Sequence, residues 1–456
     1  MPYLCTCKAF VSRLRGRLAP GMLLVIALSL AGPSQARIVA AEPENYRSLL
    51  ASLKPGDTLQ LAPGEYRDGL RLHRISGTSE SPIEIRGPSQ GAPAIFVARR
   101  GANTVSIVDA AYIELRDVTL DGRNIPVDAV KLEGTARFAH HITLENLIIV
   151  GHGASQQIVG ISTKAPAWGW VLRRNRIHGA GTGMYLGNSD GSAPFFDSVI
   201  EYNVVTAPLG YAIQIKHQRP RPALDQAPRD PRVTLIRHNV LSKAEGAAAG
   251  PAARPNLLLG HLPSSGTGTR DEYHVYGNFL DDNPTEALFQ AEGNVAFYSN
   301  VLRNRFGPGI AIQPHNGVPK EIRIFDNTIV SRGEPIVIRT NEHTQADRQF
   351  VHGNAVFSPH HIRGGVQSEN LVFALEDAAL ALVAADAPRF DAFPRDDALR
   401  CASPRPAWSY APTDARCDFN GRLRKAGYCG AYAGQGTNPG WLPALTVKPT
   451  TPCGAR

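Results

Sequence analysis

The sequence predicts an all-β protein built as a single parallel β-helix, and three observations carry this prediction. An Asn recurs between residues 142 and 357, each time with an apolar residue two positions later. The successive gaps of 29, 28, 36, 39, 22, 27 and 27 residues are those of a repeat architecture. The flanking runs are short, rich in Val, Ile and Leu, and without a sustained helical stripe, so each repeat is predicted to hold a few short strands. The recurring residues are Asn146, Asn175, Asn203, Asn239, Asn278, Asn300, Asn327 and Asn354.

An Asn at one bend of every coil has a physical use. Its side chain tolerates the left-handed backbone of tight bends, and its amide can bond to the Asn of the next coil. Stacked amides would form a hydrogen-bonded ladder along the solenoid. Asp117, which lies 29 residues before Asn146, is predicted to continue the ladder by one coil.

Residues 1–36 have the organisation of a secretory signal. Lys8, Arg13, Arg15 and Arg17 form a basic start, residues 21–31 an apolar run, and 34–36 a small-x-Ala cleavage site. Because the apolar run is short for a membrane span, we expect export to a secreted or periplasmic location without stable membrane insertion. After the signal we expect an N-terminal cap and first coils at 37–110, the β-helix core at 111–360, and a C-terminal cap and disulfide tail at 361–456.

Cysteine usage agrees with export. Cys401, Cys417, Cys429 and Cys453 all lie in the last 56 residues, which predicts two disulfides with three possible connectivities. Proximity alone favours Cys401–Cys417 and Cys429–Cys453. The rival interpretation, a zinc site, lacks the C-x-x-C spacing that would support it.

Composition restricts the classes of molecule that the protein is expected to bind. Removing the four basic residues of the leader from the formal net charge of +8 leaves +4. This mild basicity suits an anionic polymer, and no nucleic-acid motif accompanies it. We expect an acidic polysaccharide as partner, no nucleic acid, no metal, no cofactor and a monomer.

Three segments stand outside the repeat. Residues 44–53 are predicted to form a short helix that covers the first coil, and 375–385 a second helix. The two long gaps place insertions at 218–231, rich in Pro and Arg, and at 244–255, rich in Ala, Gly and Pro. Such loops either wall a binding groove or decorate the surface, and the sequence leaves both alternatives open.

Several stretches together resemble the right-handed parallel β-helix proteins of the pectate-lyase-like superfamily. They are LKPGDTLQLAPGEY at 53–66, SPIEIRG at 81–87, the Asn repeat, and DFNGRLRKAGYCGAY at 418–432. The resemblance spans roughly residues 45 to 432. It implies polysaccharide substrates, mostly acidic, handled by lyases, hydrolases or epimerases, alongside members without enzymatic activity.

Aligning the apolar-x-apolar strands after each ladder position predicts two outward columns. The first column is Glu133, Ser162, Gly187, Lys216, Gly260, Gln290, Gln313 and Arg339. The second is Gly134, Thr163, Asn188, His217, His261, Ala291, Pro314 and Thr340. Lys216 and His217 are thereby predicted to lie beside His261, with Lys164 two coils back.

This cluster has the chemistry for β-elimination on a uronate polymer. A base must remove the proton next to the carboxylate, and positive charge must stabilise the resulting anion. We predict Lys216 as the base, His217 or His261 as the assisting acid, and Arg219 or Arg221 as the group that neutralises the carboxylate. Lys164, Tyr185, Gln290, Gln313, His315 and Arg339 are predicted to bind further sugars.

The stretch 211–216 is also similar in place to the catalytic-lysine strand of the chondroitinase B and alginate lyase family. There the acids before the lysine bind calcium; here Leu209 and Tyr211 occupy those positions, which predicts that no calcium site is present. Gly151-His152-Gly153 and 213–216 partly resemble polygalacturonase motifs, whose paired Asp would have to be Asp281 and Asp282. The leading hypothesis is a polysaccharide lyase, the alternative a non-catalytic carbohydrate-binding or envelope protein, and a hydrolase is third.

Overall fold

The computed structural model describes residues 36–384, 389–402 and 412–454. The predicted signal, apart from Ala36, lies outside the described residues. Within the described ranges the chain is a parallel β-helix, as predicted, with three sheets along its length, and this is the architecture on which the resemblance to pectate-lyase-like proteins rests. No helix in those ranges is both long enough and apolar enough to cross a membrane.

Most coils contribute one strand to each of three sheets, and within a coil the chain passes from sheet 1 to sheet 3 and then to sheet 2. Sheet 1 consists of Ile38–Ala41, Thr58–Leu61, Ile83–Arg86, Ala110–Arg116, Ala139–Glu145, Ala167–Trp168, Val171–Arg173, Phe195–Phe196, Val199–Glu201, Val233–Arg237, Glu272–Tyr276, Gly293–Tyr298, Pro319–Phe325, Gln349–His352 and Val366–Ser368. Sheet 2 consists of Leu70–His73, Val105–Val108, Val130–Leu132, Val159–Thr163, Thr182–Leu186, Ile213–Ile215, Leu257–Leu259, Phe289–Ala291, Ile310–Ile312 and Ile336–Ile338. Sheet 3 consists of Gly64–Tyr66, Ala94–Val97, Val118–Asp121, Ile148–Val150, Arg176–His178, Val204–Thr206, Val240–Ser242, Phe279–Asp281, Val301–Asn304, Thr328–Ser331, Ala355–Phe357 and Leu371–Phe373.

The remaining elements are short. A one-turn α-helix, Tyr46–Leu50, occupies part of the predicted 44–53 helix, with Tyr46 and Leu50 buried. The predicted 375–385 helix is shorter than expected: a 3₁₀ turn and an α-helical turn end at a strand that pairs antiparallel with a later one. These pieces are Leu375–Asp377, Ala378–Ala381, Leu382–Ala384 and Asp391–Pro394, and the other 3₁₀ turns are Gly250–Ala252, Ala346–Arg348 and Asp397–Leu399.

The predicted Asn ladder is present from Asn175 to Asn354 and extends one coil further, to Asn370. Each side-chain amide donates to the Oδ1 of the next Asn over 2.8–3.1 Å, and each Oδ1 also accepts from a backbone N–H. All the members from Asn175 to Asn354 are fully buried. The ladder fixes the register of successive coils.

Asn146 and Asp117 are not ladder members, so this part of the prediction is wrong by one residue. Leu147 occupies the ladder position, and its N–H donates to Asn175 Oδ1 at 3.0 Å. Asn146 instead donates to Asp117 Oδ1 at the surface, 2.6 Å away. The left-handed conformation also belongs to the residue before each ladder Asn, with φ between 50° and 66°. That set is Asn146, Arg174, Tyr202, His238, Gly277, Ser299, Asp326 and Gly353.

The C-terminal segment folds back onto the outer face of sheet 3. Phe390, Phe393, Phe419 and Tyr432 pack there in a second apolar cluster with outward residues such as Phe279. Two disulfides are present, as predicted, but the favoured pairing is wrong: the bonds are Cys401–Cys429 and Cys417–Cys453, each with Cα atoms 5.6 Å apart. Proximity in sequence was misleading because the tail folds back on itself and brings together cysteines that are 28 and 36 positions apart.

The ladder yields a test of stability. We expect Asn239→Ala to lower the free energy of unfolding by roughly 2–3 kcal/mol, because it removes a buried amide and leaves the Asn203 N–H groups without their acceptor. Asn146→Gly is the matched control: the side chain is at the surface, the backbone has positive φ, and a change within about 0.5 kcal/mol is expected. Urea denaturation of both variants measures the difference, and equal losses would contradict a dominant role for the ladder.

Candidate active site

Sheet 2 carries a groove that runs along the coils. Two cavities of about 290 and 530 Å³ lie end to end on its outer face. Both are lined by Tyr211, Gln214, Lys216 and Arg254, which therefore form the centre of the groove.

Strand pairing fixes which side chains line the floor. The outward residues of successive strands are Lys131, Ser162, Tyr185, Gln214, Leu258, Gln290 and Ala311. The register corrects two of the predicted strand alignments by two residues, so Lys164 and Glu292 stand in the column where Ser162 and Gln290 were expected. The polar Thr163 fills a core position and bonds to the N–H of Gly187, so its strand did not match an apolar-x-apolar pattern.

The lysines of the groove lie close to an aromatic ring. Lys164 Nζ is 3.4 Å from the centroid of the Tyr185 ring, and Lys216 Nζ is 5.8 Å from it. Burial lowers the pKa of Lys164 to about 8, with Asp128 opposing and Lys131 and Lys216 adding to the decrease. Burial also lowers the pKa of Lys216. Both amines are thus neutral more often than ordinary lysines.

Arg254 is the main residue that the sequence analysis missed. It belongs to the 244–255 insertion, which does wall the groove. Its backbone carbonyl accepts hydrogen bonds from Lys243 Nζ at 2.5 Å and Asn283 Nδ2 at 2.9 Å. Its Nη1 donates to two carbonyls of its own loop, and no ion pair joins Arg254, Lys164 or Lys216 to any described carboxylate. A lone Arg among Ala, Gly and Pro gives no sequence signal for this placement.

The 244–255 wall is held from several coils. Gln156 Nε2 donates to Ala252 O at 2.8 Å, and Thr285 Oγ1 donates to Ala248 O at 2.9 Å. Lys243, fully buried, secures the end that bears Arg254. The wall is therefore part of the built groove rather than a loose decoration.

His217 and His261 stack as the column alignment predicted, with ring centroids 5.0 Å apart and planes at 16°. His217 lines the groove, and its Nδ1 is buried without a described hydrogen-bond partner. Burial, Lys216 and His261 lower the pKa of His217. His261 lies behind it, with Nδ1 3.2 Å from Leu262 O.

The other residues that were predicted to bind sugars lie along the groove. Lys164, Tyr185, Gln290, Gln313 and His315 line the groove, and Arg339 reaches it through a 2.9 Å hydrogen bond to Gln313. Glu292 holds the rim at His315 by accepting from the N–H groups of His315 and Gly317.

Arg219 and Arg221 of the 218–231 insertion, which were predicted to neutralise the carboxylate, are not among the residues that line the groove. Arg219 is exposed, whereas Arg221 is buried, pairs with Asp271 and lies over Phe196. Because that pairing occupies the Arg221 guanidinium, Arg221 is not part of the site proposed below. The insertion covers the outer face of sheet 1 instead, where Gln226 bonds to His140.

The hydrolase alternative lacks its carboxylate pair. Asp281 and Asp282 belong to the sheet 3 side and are buried, paired with Arg303 and Arg305 respectively. His152 is also buried and bonds to Val127 O at 2.9 Å. Paired carboxylates free to act as acid and base are thus not found at these positions.

The groove residues do not fit calcium. Calcium prefers several carboxylate and carbonyl oxygens, whereas the centre presents an ammonium, a guanidinium, a phenol and an amide. Among the described residues, no group of three His, Cys, Asp or Glu side chains is placed to hold a metal ion. The chemistry below therefore uses only the side chains of the chain.

Comparison with known proteins gives only the fold. No protein-family model and no curated protein matches the sequence. An alginate lyase from Paenibacillus sp. str. FPU-7 is 16% identical, with a TM-score of 0.43, covering 74% of this chain and 99% of that one. A GH136 lacto-N-biosidase from Eubacterium ramulus is 12% identical, with a TM-score of 0.44 and coverages of 74% and 68%. Pectate lyase Pel9A has a TM-score of 0.37 at 12% identity, with coverages of 88% and 97%. Similarity at this level carries no argument about the reaction.

The electrostatics of the groove predict the titration of Lys164. In competitive labelling with acetic anhydride, we expect its reactivity to reach half-maximum near pH 8, against ~10.4 for an ordinary lysine. Lys131→Gln removes a neighbouring cation, so the midpoint should rise. Mass spectrometry of labelled peptides measures both, with exposed Lys54 as internal reference. A midpoint that stays at the ordinary value would contradict the buried placement.

Proposed function

We propose that this protein is an exported lyase that cleaves a uronate-containing polysaccharide by β-elimination in the groove of sheet 2. The observation that carries the proposal is the centre of the groove, where Lys216, with its lowered pKa, and Arg254 both lack an ion-pair partner among the described residues. Two cations without ion pairs in a half-buried groove suit a ligand that brings its own carboxylates. The disulfides and the predicted signal support export.

The groove matches an extended sugar chain in scale. Adjacent coils lie ~4.8 Å apart, so Lys164 and Lys216, two coils apart, are on the order of 10 Å from each other along the axis. That is about two sugar units. Lys164 can thus meet the carboxylate of a second uronate while Lys216 acts on the first.

The chemistry needs one base and one anion stabiliser. Neutral Lys216 takes the proton from the ring carbon next to the carboxylate, and the electrons of that C–H bond pass into an enolate-like anion. Arg254 neutralises the carboxylate through its planar fork, which lowers the energy of this anion.

Collapse of the anion completes the reaction. A carbon–carbon double bond forms in the ring, and the bond to the glycosidic oxygen at the neighbouring carbon breaks. That oxygen leaves with a proton, for which the ammonium formed on Lys216 is the nearest acid. His217, made more neutral by its lowered pKa, serves better as a hydrogen-bonding neighbour than as the acid first predicted. No water is consumed, and one chain becomes two.

The test is cleavage of a panel of alginate, pectate and glycosaminoglycans, followed by the unsaturated-uronate absorbance at roughly 235 nm. We expect Lys216→Met to lower kcat/KM by roughly 10²–10⁴-fold and Lys216→Arg, which keeps the charge but not the base, to lose as much kcat with less effect on KM. For the wild type, activity should rise with pH as Lys216 loses its proton.

Lys54→Met, an exposed change outside the groove, is the control and should retain activity. Unaltered activity in Lys216→Met would move the site elsewhere. Polymer binding without any absorbance change across the panel would favour a non-catalytic carbohydrate-binding protein.

A further inference from the structure

Gln214 forms the floor at the centre of the groove. It is the middle residue of the strand Ile213–Ile215, whose two isoleucines are fully buried in the core, so its own side chain points outward. Its neighbours in the column are Tyr185 and Leu258, and it lines both cavities.

The amide of Gln214 carries an unused acceptor. The side chain is only 3% exposed, and its Oε1 is buried without a hydrogen-bond partner among the described residues. A buried acceptor left unpaired is costly, roughly 1–3 kcal/mol, and such groups concentrate where a ligand supplies the missing donor. Because the Gln214 side chain lines both cavities, a ligand bound in the groove can supply that donor.

The position of this acceptor restricts the chemistry of the donor. Gln214 and Lys216 point to the same face of one strand, roughly 6.6 Å apart, about the width of a sugar ring. Carboxylate, ether and ester oxygens accept hydrogen bonds but cannot donate them, whereas a ring hydroxyl can. A uronate placed for proton removal by Lys216 carries a hydroxyl on the ring carbon next to the one that loses the glycosidic oxygen.

We propose that Gln214 is a specificity-determining residue whose Oε1 accepts a hydrogen bond from a free hydroxyl of the sugar at the cleavage position. The substrate class is accordingly a uronate polymer that is not O-acylated there. An O-acetyl ester removes the donor and adds bulk against a floor with no spare room. This inference rests on the proposed lyase function and adds a chemical restriction to it.

The experiment compares one polymer in two forms, de-O-acetylated and chemically O-acetylated, using the polymer that gives the strongest signal in the panel. We expect wild-type kcat/KM to fall at least roughly 10²-fold on the acetylated form, as in sites built to bond a substrate hydroxyl. Gln214→Met, similar in length but without the acceptor, should lose roughly 10–10²-fold on the free form and show a clearly smaller ratio between the two.

Controls separate recognition from folding. Gln90→Met, exposed and remote, should behave as the wild type. Oε1 gives up no described hydrogen bond, so a fall in the thermal midpoint of Gln214→Met would report the loss of the amide contact with Tyr211 and not of the proposed acceptor. A purely structural Gln214 would lower activity on both polymers equally and leave their ratio unchanged, which would overturn the inference.

If the protein is not a lyase, a binding measurement still tests the role of Gln214. If no polymer is cleaved, the pair is made from the panel polymer that the wild type binds most tightly, and its free and acetylated forms are compared by calorimetric Kd. Weaker binding of the acetylated form by the wild type but not by Gln214→Met would support the recognition role without catalysis. Equal Kd values for both forms with the wild type would refute it.

Discussion

The buried amide ladder is the constraint on which the rest of the molecule depends. Asn239 shows the pattern: its Oδ1 accepts from both N–H groups of Asn203, and its Nδ2 donates to Ile200 O and to Asn278. Each coil is thus tied to its neighbours by bonds that water cannot replace in the core. Successive ladder positions are 16 to 39 residues apart, and the register is kept in every case. This tolerance lets an insertion as long as 244–255 grow from one coil and still meet side chains from its neighbours.

Charged side chains form ion pairs on the outer face of sheet 1, whereas three cations of the groove form none with the described carboxylates. On sheet 1, arginines and glutamates alternate across coils and pair with each other, as when Glu201 accepts from both Arg173 and Arg237. In the groove, Lys164, Lys216 and Arg254 face one another, and no described carboxylate is paired with any of them. Loss of water disfavours the charged form of both lysines and lowers their pKa values, and Lys131 and Lys216 add to the decrease for Lys164. Placing these cations together lowers the stability of the fold. It also gives the groove a positive potential, which favours an anionic polymer.

Much of the fold could be predicted from the sequence, because the ladder Asn recurs in most coils and a recurring residue type is visible without the structure. The parallel β-helix, the neighbouring positions of His217 and His261 and the outward position of Lys216 follow from aligning one residue type. The errors have local physical causes. Asn146 resembles a ladder Asn because both sit at a bend, and only backbone geometry shows that its φ is positive and that Leu147 takes the inner place. The shifted alignment at Val159–Thr163 arose because a threonine fills a core position.

What could not be predicted depends on contacts between distant segments. Arg254 faces the groove because Lys243 and Asn283 hold its carbonyl, and nothing in the composition of the insertion indicates those partners. The unpaired state of the Gln214 acceptor is likewise visible only once its surroundings are in place. The sequence suggested Arg221 because it lies near Lys216 and His217. Its guanidinium is instead paired with Asp271, fifty positions later in the chain.

The order of the cysteine pairs has a consequence for resistance to proteolysis. Cys401 joins Cys429 and Cys417 joins Cys453, so the two loops interlock instead of following one another. A protease that cuts one peptide bond anywhere between Cys401 and Cys453 therefore releases no fragment, since one bridge always spans the break. Two successive loops would leave residues 418–428 as a point where a single cut detaches the end of the chain. The interlocked tail keeps its apolar residues seated on sheet 3 even after nicking.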